Sequence, residues 1–184
     1  GIDAGGLFKE FWTALSAAAF SESYGLFKAS AAGLHYPNPD SAFLHGNHLT
    51  LFHFVGRVLG NALREGVTLQ PRFNRFFLRF MVRDFNYLGL LEDLATLDPE
   101  LYKNLKFLQL YDGDIADLGL TFAVSYDRFG ETAPSDLEPG GRDKPVTSRN
   151  RHSYIQLVAK FHLVERLASQ ARAFAAGLHE AVDV

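Results

Sequence analysis

Apolar residues recur every three or four positions over most of the chain, so helix is the dominant expectation. Leu7, Phe8, Phe11, Trp12, Leu15 and Ala18 share a stripe and predict a helix from about Leu7 to Phe20, after the Gly5-Gly6 loop. Gly25-Leu26-Phe27 and Leu34-His35-Tyr36 read as short extended pieces around a small-residue turn, Ser30 to Gly33, and Pro37-Asn38-Pro39-Asp40 halts any regular element. Leu51, Phe52, Val55, Val58, Leu59, Ala62 and Leu63 predict a long helix from about Asn47 to Glu65, with Gly66 as its left-handed cap. Gly56 and Gly60 lie one turn apart on it and predict close packing against another helix. After Pro71 a further helix carries Phe73, Phe76, Phe77 and Phe80 on one side and Arg72, Arg75, Arg79 and Arg83 on another.

The strongest helix start is Asp98-Pro99-Glu100: an Asp cap, a Pro at the first helical position and an acid beside the positive end of the dipole. Rotation by about 100° per residue to Tyr111 groups Leu101, Leu105 and Leu108, sets Leu110 nearly opposite, and leaves Phe107 and Tyr111 on the remaining flank. A helix so apolar all round is either buried on every side or covered by its own domain on one face and kept for a partner on another. Asp112-Gly113-Asp114 turns the chain, and Leu120 to Val124 alternates as a strand that Asp127 to Gly130 turns back. Thr132 to Leu137 carries a further short strand pattern, and Pro139-Gly140-Gly141 reads as a hairpin turn before an extended Lys144-Pro145-Val146. Thr147 is the expected cap of a helix from about Ser148 to Arg166 with Tyr154, Ile155, Val158 and Phe161 in line. A last helix carries Leu167, Ala171, Phe174 and Leu178.

With 184 residues, 47% of them hydrophobic, the composition is that of a globular domain able to bury a core. Seventeen Phe residues predict stacked rings in that core and an exposed aromatic surface. The net charge of -3 removes the basic field that nucleic acid or an anionic membrane surface would need. The arginine stripe is therefore expected to be a solvated face paired with Asp84, Glu92 and Asp93, and no nucleic-acid partner is expected. The richest apolar run, Leu49 to Gly60, holds His53 and Arg57, so no membrane partner is expected either. A chain without cysteine has no disulfide, thiolate ligand or thiol nucleophile, which fits a reducing compartment. The expectation is a soluble intracellular protein, cytoplasmic or nuclear.

Catalytic and cofactor motifs fail one by one. No G-x-S-x-G elbow is present, and His45, His48 and His53 lack the H-E-x-x-H arrangement of a metal site. Asp112, Asp114 and Asp117 open like a calcium loop, but Asp117 stands where that loop needs glycine. Pro139-Gly140-Gly141-Arg142 does not run into a helix as a phosphate cradle must. Neither a catalytic residue, a metal nor a cofactor is expected, and the all-round apolar helix is the binding signal.

Several motifs in order carry a family resemblance. Leu97-Asp98-Pro99-Glu100-Leu101-Tyr102-Lys103-Asn104-Leu105, Tyr111-Asp112-Gly113-Asp114 with Asp117 to Phe122, Glu138-Pro139-Gly140-Gly141-Arg142-Asp143, Pro145-Val146-Thr147 and Asn150-Arg151 resemble the N-terminal, large lobe of the HECT-type ubiquitin ligases. The likeness extends upstream to Gly1 and the Phe54 to Gly60 helix, and downstream to Ala173-Phe174 and Gly177-Leu178. It implies an α+β, mainly α-helical fold: a helical body over about 1–87 and 138–184, with Phe11, Trp12, Phe52, Val55, Leu59, Phe76 and Phe80 in its core. Short antiparallel strands and a projecting subdomain over about 88–137 that binds the conjugating enzyme complete it. In that family ubiquitin passes from a conjugating enzyme to a cysteine in a smaller C-terminal lobe, then to a substrate lysine. Without cysteine this segment cannot form the thioester, so it is expected to be a partial HECT domain whose partners are a ubiquitin-conjugating enzyme, the missing C-terminal lobe and ubiquitin itself. The implied docking groove uses Leu101, Leu105, Leu108 and Tyr111 from the helix, Asp117 and Leu120 beyond it, and Tyr154 as its floor. Two departures stand out: Arg149 replaces the acid commonly found before Asn-Arg, and Val164-Glu165-Arg166 replaces an Asn-Lys-type sequence. The other reading is a non-catalytic interaction module with the same fold.

Overall fold

The computed structural model of the chain describes residues 4–68, 70–84, 89–128 and 130–182. The Gly1-Ile2-Asp3 start and the subdomain boundary expected at residue 88 lie outside the described residues. Helices dominate: α1 (Ala4–Ala19), α2 (Ser41–Leu44), α3 (His48–Arg64), α4 (Arg75–Met81), α5 (Leu90–Leu97), α6 (Pro99–Leu110), α7 (Arg151–Leu163) and α8 (Ala168–Ala181). The strands β1 (Phe27–Ala29) and β2 (His35–Pro37) pair antiparallel, as do β3 (Ala123–Arg128) and β4 (Glu131–Asp136), the latter in register from Ala123↔Asp136 to Arg128↔Glu131. The architecture is α+β and mainly helical.

The chain divides into two compact units, Gly1–Asn86 with Leu167–Val184, and Tyr87–Arg166. Residues 138–166 thus group with the second unit, not with the helical body where they were expected. The cause lies in contacts between distant stretches of the chain: α7 packs on α5 and α6, Phe122 donates its N–H to the Lys144 carbonyl at 3.0 Å, and Val146 donates to the Leu120 carbonyl at 2.8 Å.

In the first unit the dominant contact joins α3 and α8. The small residues predicted to allow close packing do so. A Cβ at Gly56 would collide with the Phe174 carbonyl, one at Gly60 would sit 2.7 Å from the Ala181 Cβ, and one at Gly177 would collide with the His53 carbonyl. Beside this contact Phe27 is fully buried among the rings of Phe20, Phe52, Phe77 and Phe174, at centroid distances of 4.4 to 6.2 Å. Of the expected core, Trp12, Phe52, Val55, Leu59, Phe76 and Phe80 are buried, but Phe11 is 48% exposed. The buried line of α1 runs through Trp12, Ser16 and Ala19, so the true inner face is rotated away from Phe11 and from Leu7, which is 64% exposed.

In the second unit the hairpin expected at Pro139-Gly140-Gly141 is instead a left-handed Gly140, φ 73°, leading into a 3-10 turn over Gly141–Asp143. Thr147 does not cap α7. The helix begins three residues later than expected, at Arg151, because Asn150 turns its Oδ1 back to accept the Thr147 N–H at 2.7 Å. Tyr154, Ile155, Val158 and Phe161 are all buried, as their spacing predicts. Of the three acids expected beside the arginine stripe, Glu92 accepts from Tyr102 Oη at 2.7 Å and from Lys106 Nζ at 3.2 Å.

Candidate functional site

The segment from Asp98 to Leu120 is built from its ends inward. The Asp98 carboxylate accepts the Leu101 N–H at 2.9 Å with Pro99 at the first helical position, which fixes where α6 starts. At the other end the backbone becomes extended at Tyr111, whose carbonyl accepts from Arg151 Nη1 at 2.8 Å. Asp114 then accepts the Ala116 N–H at 3.0 Å and starts a 3-10 turn, Ile115–Leu118, which the left-handed Gly119 closes. Ile115 is fully buried and anchors this turn.

The seven residues of the expected groove all fall within this unit, with different exposures. Leu105 and Leu108 are buried on the inner face of α6; Leu101, Tyr111 and Leu120 are half-buried; Asp117 is exposed. Tyr154 is only 8% exposed and its ring meets Phe122 edge-on at 5.6 Å. Burial pushes its phenol above the usual tyrosine range.

The accessible apolar surface of α6 lies on the flank that the rotation left over. Leu110 is 74% exposed and Phe107 62%, with the Phe107 ring 5.4 Å from Tyr111. Leu118 adds a further exposed leucine beyond the helix. These three residues are absent from the expected groove set, yet the signal for two of them was in the helical rotation, which put Leu110 opposite the inner leucines and Phe107 beside Tyr111. Elsewhere on α6, Tyr102 and Lys106 reach Glu92 of α5. Tyr102 hydrogen-bonds Glu92, which holds the Glu92 carboxyl below its usual range, with Lys106 adding to the effect, and raises the Tyr102 phenol above its own.

Among the described residues, no group of three His, Asp or Glu side chains could hold a metal ion. The histidines singled out in the sequence have protein partners: His45 faces the Tyr24 carbonyl at 2.7 Å, His48 bonds Ser41 Oγ at 2.9 Å, and His53 bonds Glu180 at 2.9 Å. No helix of the described residues is long and apolar enough to cross a membrane. What the unit offers is a surface.

The HECT-domain (ubiquitin-transferase) family model matches residues 13–184. The chain belongs to the HECT family. Relatives of this HECT segment include the E3 ubiquitin-protein ligase UPL6 of Arabidopsis thaliana, 42% identical over 182 residues, and ubiquitin-protein ligase E3B of Mus musculus, 39% identical over 185. The E3 ubiquitin-protein ligase NEDD4 of Rattus norvegicus is 34% identical over 185 residues. Each alignment covers 99% of this chain but only 17%, 17% and 20% of the relative, so the HECT segment spans about a fifth of the proteins it matches.

Proposed function

We propose that this HECT segment is the part of a ubiquitin ligase that docks a ubiquitin-loaded conjugating enzyme, through the unit Tyr87–Arg166. One observation carries the reading: α6 ends in Phe107, Leu110 and Tyr111, two of them largely exposed, on a helix whose other face is already buried. Exposed apolar side chains at a helix end are what the centre of a small protein interface requires, and Lys106 beside them and the exposed Asp117 beyond the helix are candidates for its charged edge. The inner residues Leu105, Leu108 and Tyr154 then form the floor that fixes the shape of the groove, with Leu101, Tyr111 and Leu120 on its walls. Ubiquitin transfer itself needs a thiol, and the 184 residues contain none. In this reading the cysteine that accepts ubiquitin belongs to a C-terminal lobe of the parent protein, and the docked enzyme presents its thioester to that lobe.

The test is a titration of the isotope-labelled chain with a panel of conjugating enzymes, followed by backbone amide signals. At least one enzyme is expected to perturb signals from Leu101 to Leu120 and around Tyr154. Binding by none of the panel, or perturbation confined to residues of the other unit, would refute the docking role.

A further inference from the structure

Arg83 is the one non-glycine residue with positive φ, 55°, among the described residues. It stands at the end of α4, where its N–H bonds the Phe80 carbonyl at 3.3 Å and the Asp84 N–H bonds the Arg79 carbonyl at 2.9 Å. This pair of bonds is a left-handed helix cap, a position at which glycine is the inexpensive choice. An arginine held there against the backbone preference needs a reason in its side chain. Capping the helix is not that reason. The Leu78, Arg79 and Phe80 carbonyls are taken by the N–H groups of Val82, Asp84 and Arg83, and His179 Nε2 donates to the Met81 carbonyl at 2.6 Å.

The side chain of Arg83 borders a cavity of about 300 Å³ shared with Arg172, Phe80, Ala175, Ala176 and His179. Among the described residues neither guanidinium has a hydrogen-bond or ion-pair partner. Two unpaired cations thus border a pocket whose floor, Phe80 and Ala175, is buried and apolar. We infer that this cavity is a second binding site, which takes an acidic peptide segment by its carboxylate on Arg83 and Arg172 and the adjoining apolar side chain on Phe80 and Ala175. A guanidinium matches a carboxylate with two parallel N–H···O bonds, and this charge-assisted pairing is strongest beside an apolar surface that excludes water. The buried apolar floor favours a carboxylate carried on a segment with an apolar side chain over free inorganic phosphate. The site lies in the first unit and stands whether or not α6 docks a conjugating enzyme.

The test is an NMR titration of the 184-residue chain with the peptide acetyl-Gly-Glu-Leu-Gly-amide, its Glu→Gln counterpart, and inorganic phosphate. The acidic peptide is expected to shift the Nε–H signals of Arg83 and Arg172 and the Ala176 amide, more weakly at high salt. The Gln peptide and the Arg172→Gln variant should each bind about fivefold or more less tightly. Arg83→Gly should lose binding and raise the Tm, since glycine relieves the backbone. Equal binding of the two peptides overturns the site, as does phosphate binding tighter than the acidic peptide, which would make it a site for small inorganic anions. Arg83→Gly with a lowered Tm and intact binding would make Arg83 a structural residue and overturn its assignment.

Discussion

Arg151 donates from Nη1 to the Tyr111 carbonyl oxygen at 2.8 Å, fastening the first turn of α7 to the residue that ends α6. This bond sets the exit direction of the chain from the proposed docking helix. Arg151→Ala is expected to lower stability by about 1–2 kcal/mol, within the range of a charge-assisted hydrogen bond and reduced because the buried Arg151 Nε has no partner. Urea unfolding measures the loss. Amide hydrogen exchange should quicken from Asp112 to Ile115, and unchanged exchange there would show that the bond does not hold the exit.

The α3–α8 contact predicts a graded glycine series. Gly56→Ala and Gly177→Ala each place a methyl against a backbone carbonyl, of Phe174 and of His53, which cannot turn aside as a side chain can. Each should cost at or above the upper end of the ~1–3 kcal/mol overpacking range. Gly46→Ala, with nothing within 4 Å of the added methyl, is the neutral control. Thermal unfolding followed by circular dichroism should rank them so. Equal Tm values for Gly56→Ala and Gly46→Ala would mean that the helices move apart freely.

These two features differ in how far they can be read from sequence. Gly56 and Gly60 announce a close helix contact because two small residues one turn apart leave room for another backbone, though not which one, and Asp98-Pro99 fixes the start of α6 to the residue because the cap is met by local atoms. Phe11 is different. In α1 apolar residues occupy more than one side, so periodicity alone could not say that Trp12, Ser16 and Ala19 form the inner line. Helix α5 has no counterpart among the expected elements because its eight residues make little more than two turns, too few for a period to stand out. Leu105 and Leu108 are apolar residues on an apolar helix, and which flank of it stays in the open depends on how α5 and α7 pack, a long-range matter absent from its own spacing. The grouping of residues 138–166 with the second unit likewise rests on bonds such as Val146 to Leu120, between residues far apart in the chain.

His162 gives a pH signature. Burial, reinforced by the Arg166 guanidinium and only partly opposed by Asp98, depresses its pKa to about 4. The folded state therefore holds the ring neutral while the unfolded chain protonates it near pH 6.5, so the unfolded state binds more protons between these values. The contribution is fully present above about pH 6.5 and is lost as pH falls toward 4, on the order of 2–3 kcal/mol in all. Unfolding free energies across this window should fall with acid in the wild type. In His162→Phe, which cannot titrate, the slope should flatten, and an unchanged slope would assign the acid sensitivity to other groups.

The last prediction separates the floor of the proposed groove from its contact surface. Tyr154 is buried against Phe122, so Tyr154→Ala should cost about 3 kcal/mol or more in stability and lower binding by loosening the unit. Tyr154→Phe keeps the ring and should leave both fold and binding near wild type. Phe107 and Leu110 are the reverse case: largely exposed, they contribute little to the fold, and their truncation should leave the Tm within error. An anchor at the centre of a small interface commonly costs about 2 kcal/mol when cut back, roughly thirtyfold in affinity. Calorimetric titration of a conjugating enzyme that binds the wild type, with circular dichroism on every variant, reads both quantities. Folded Phe107→Ala and Leu110→Ala proteins that still bind with wild-type affinity would place the docking surface elsewhere, whereas a folded Tyr154→Ala protein with unchanged affinity would remove Tyr154 from the groove and leave it a residue of the core.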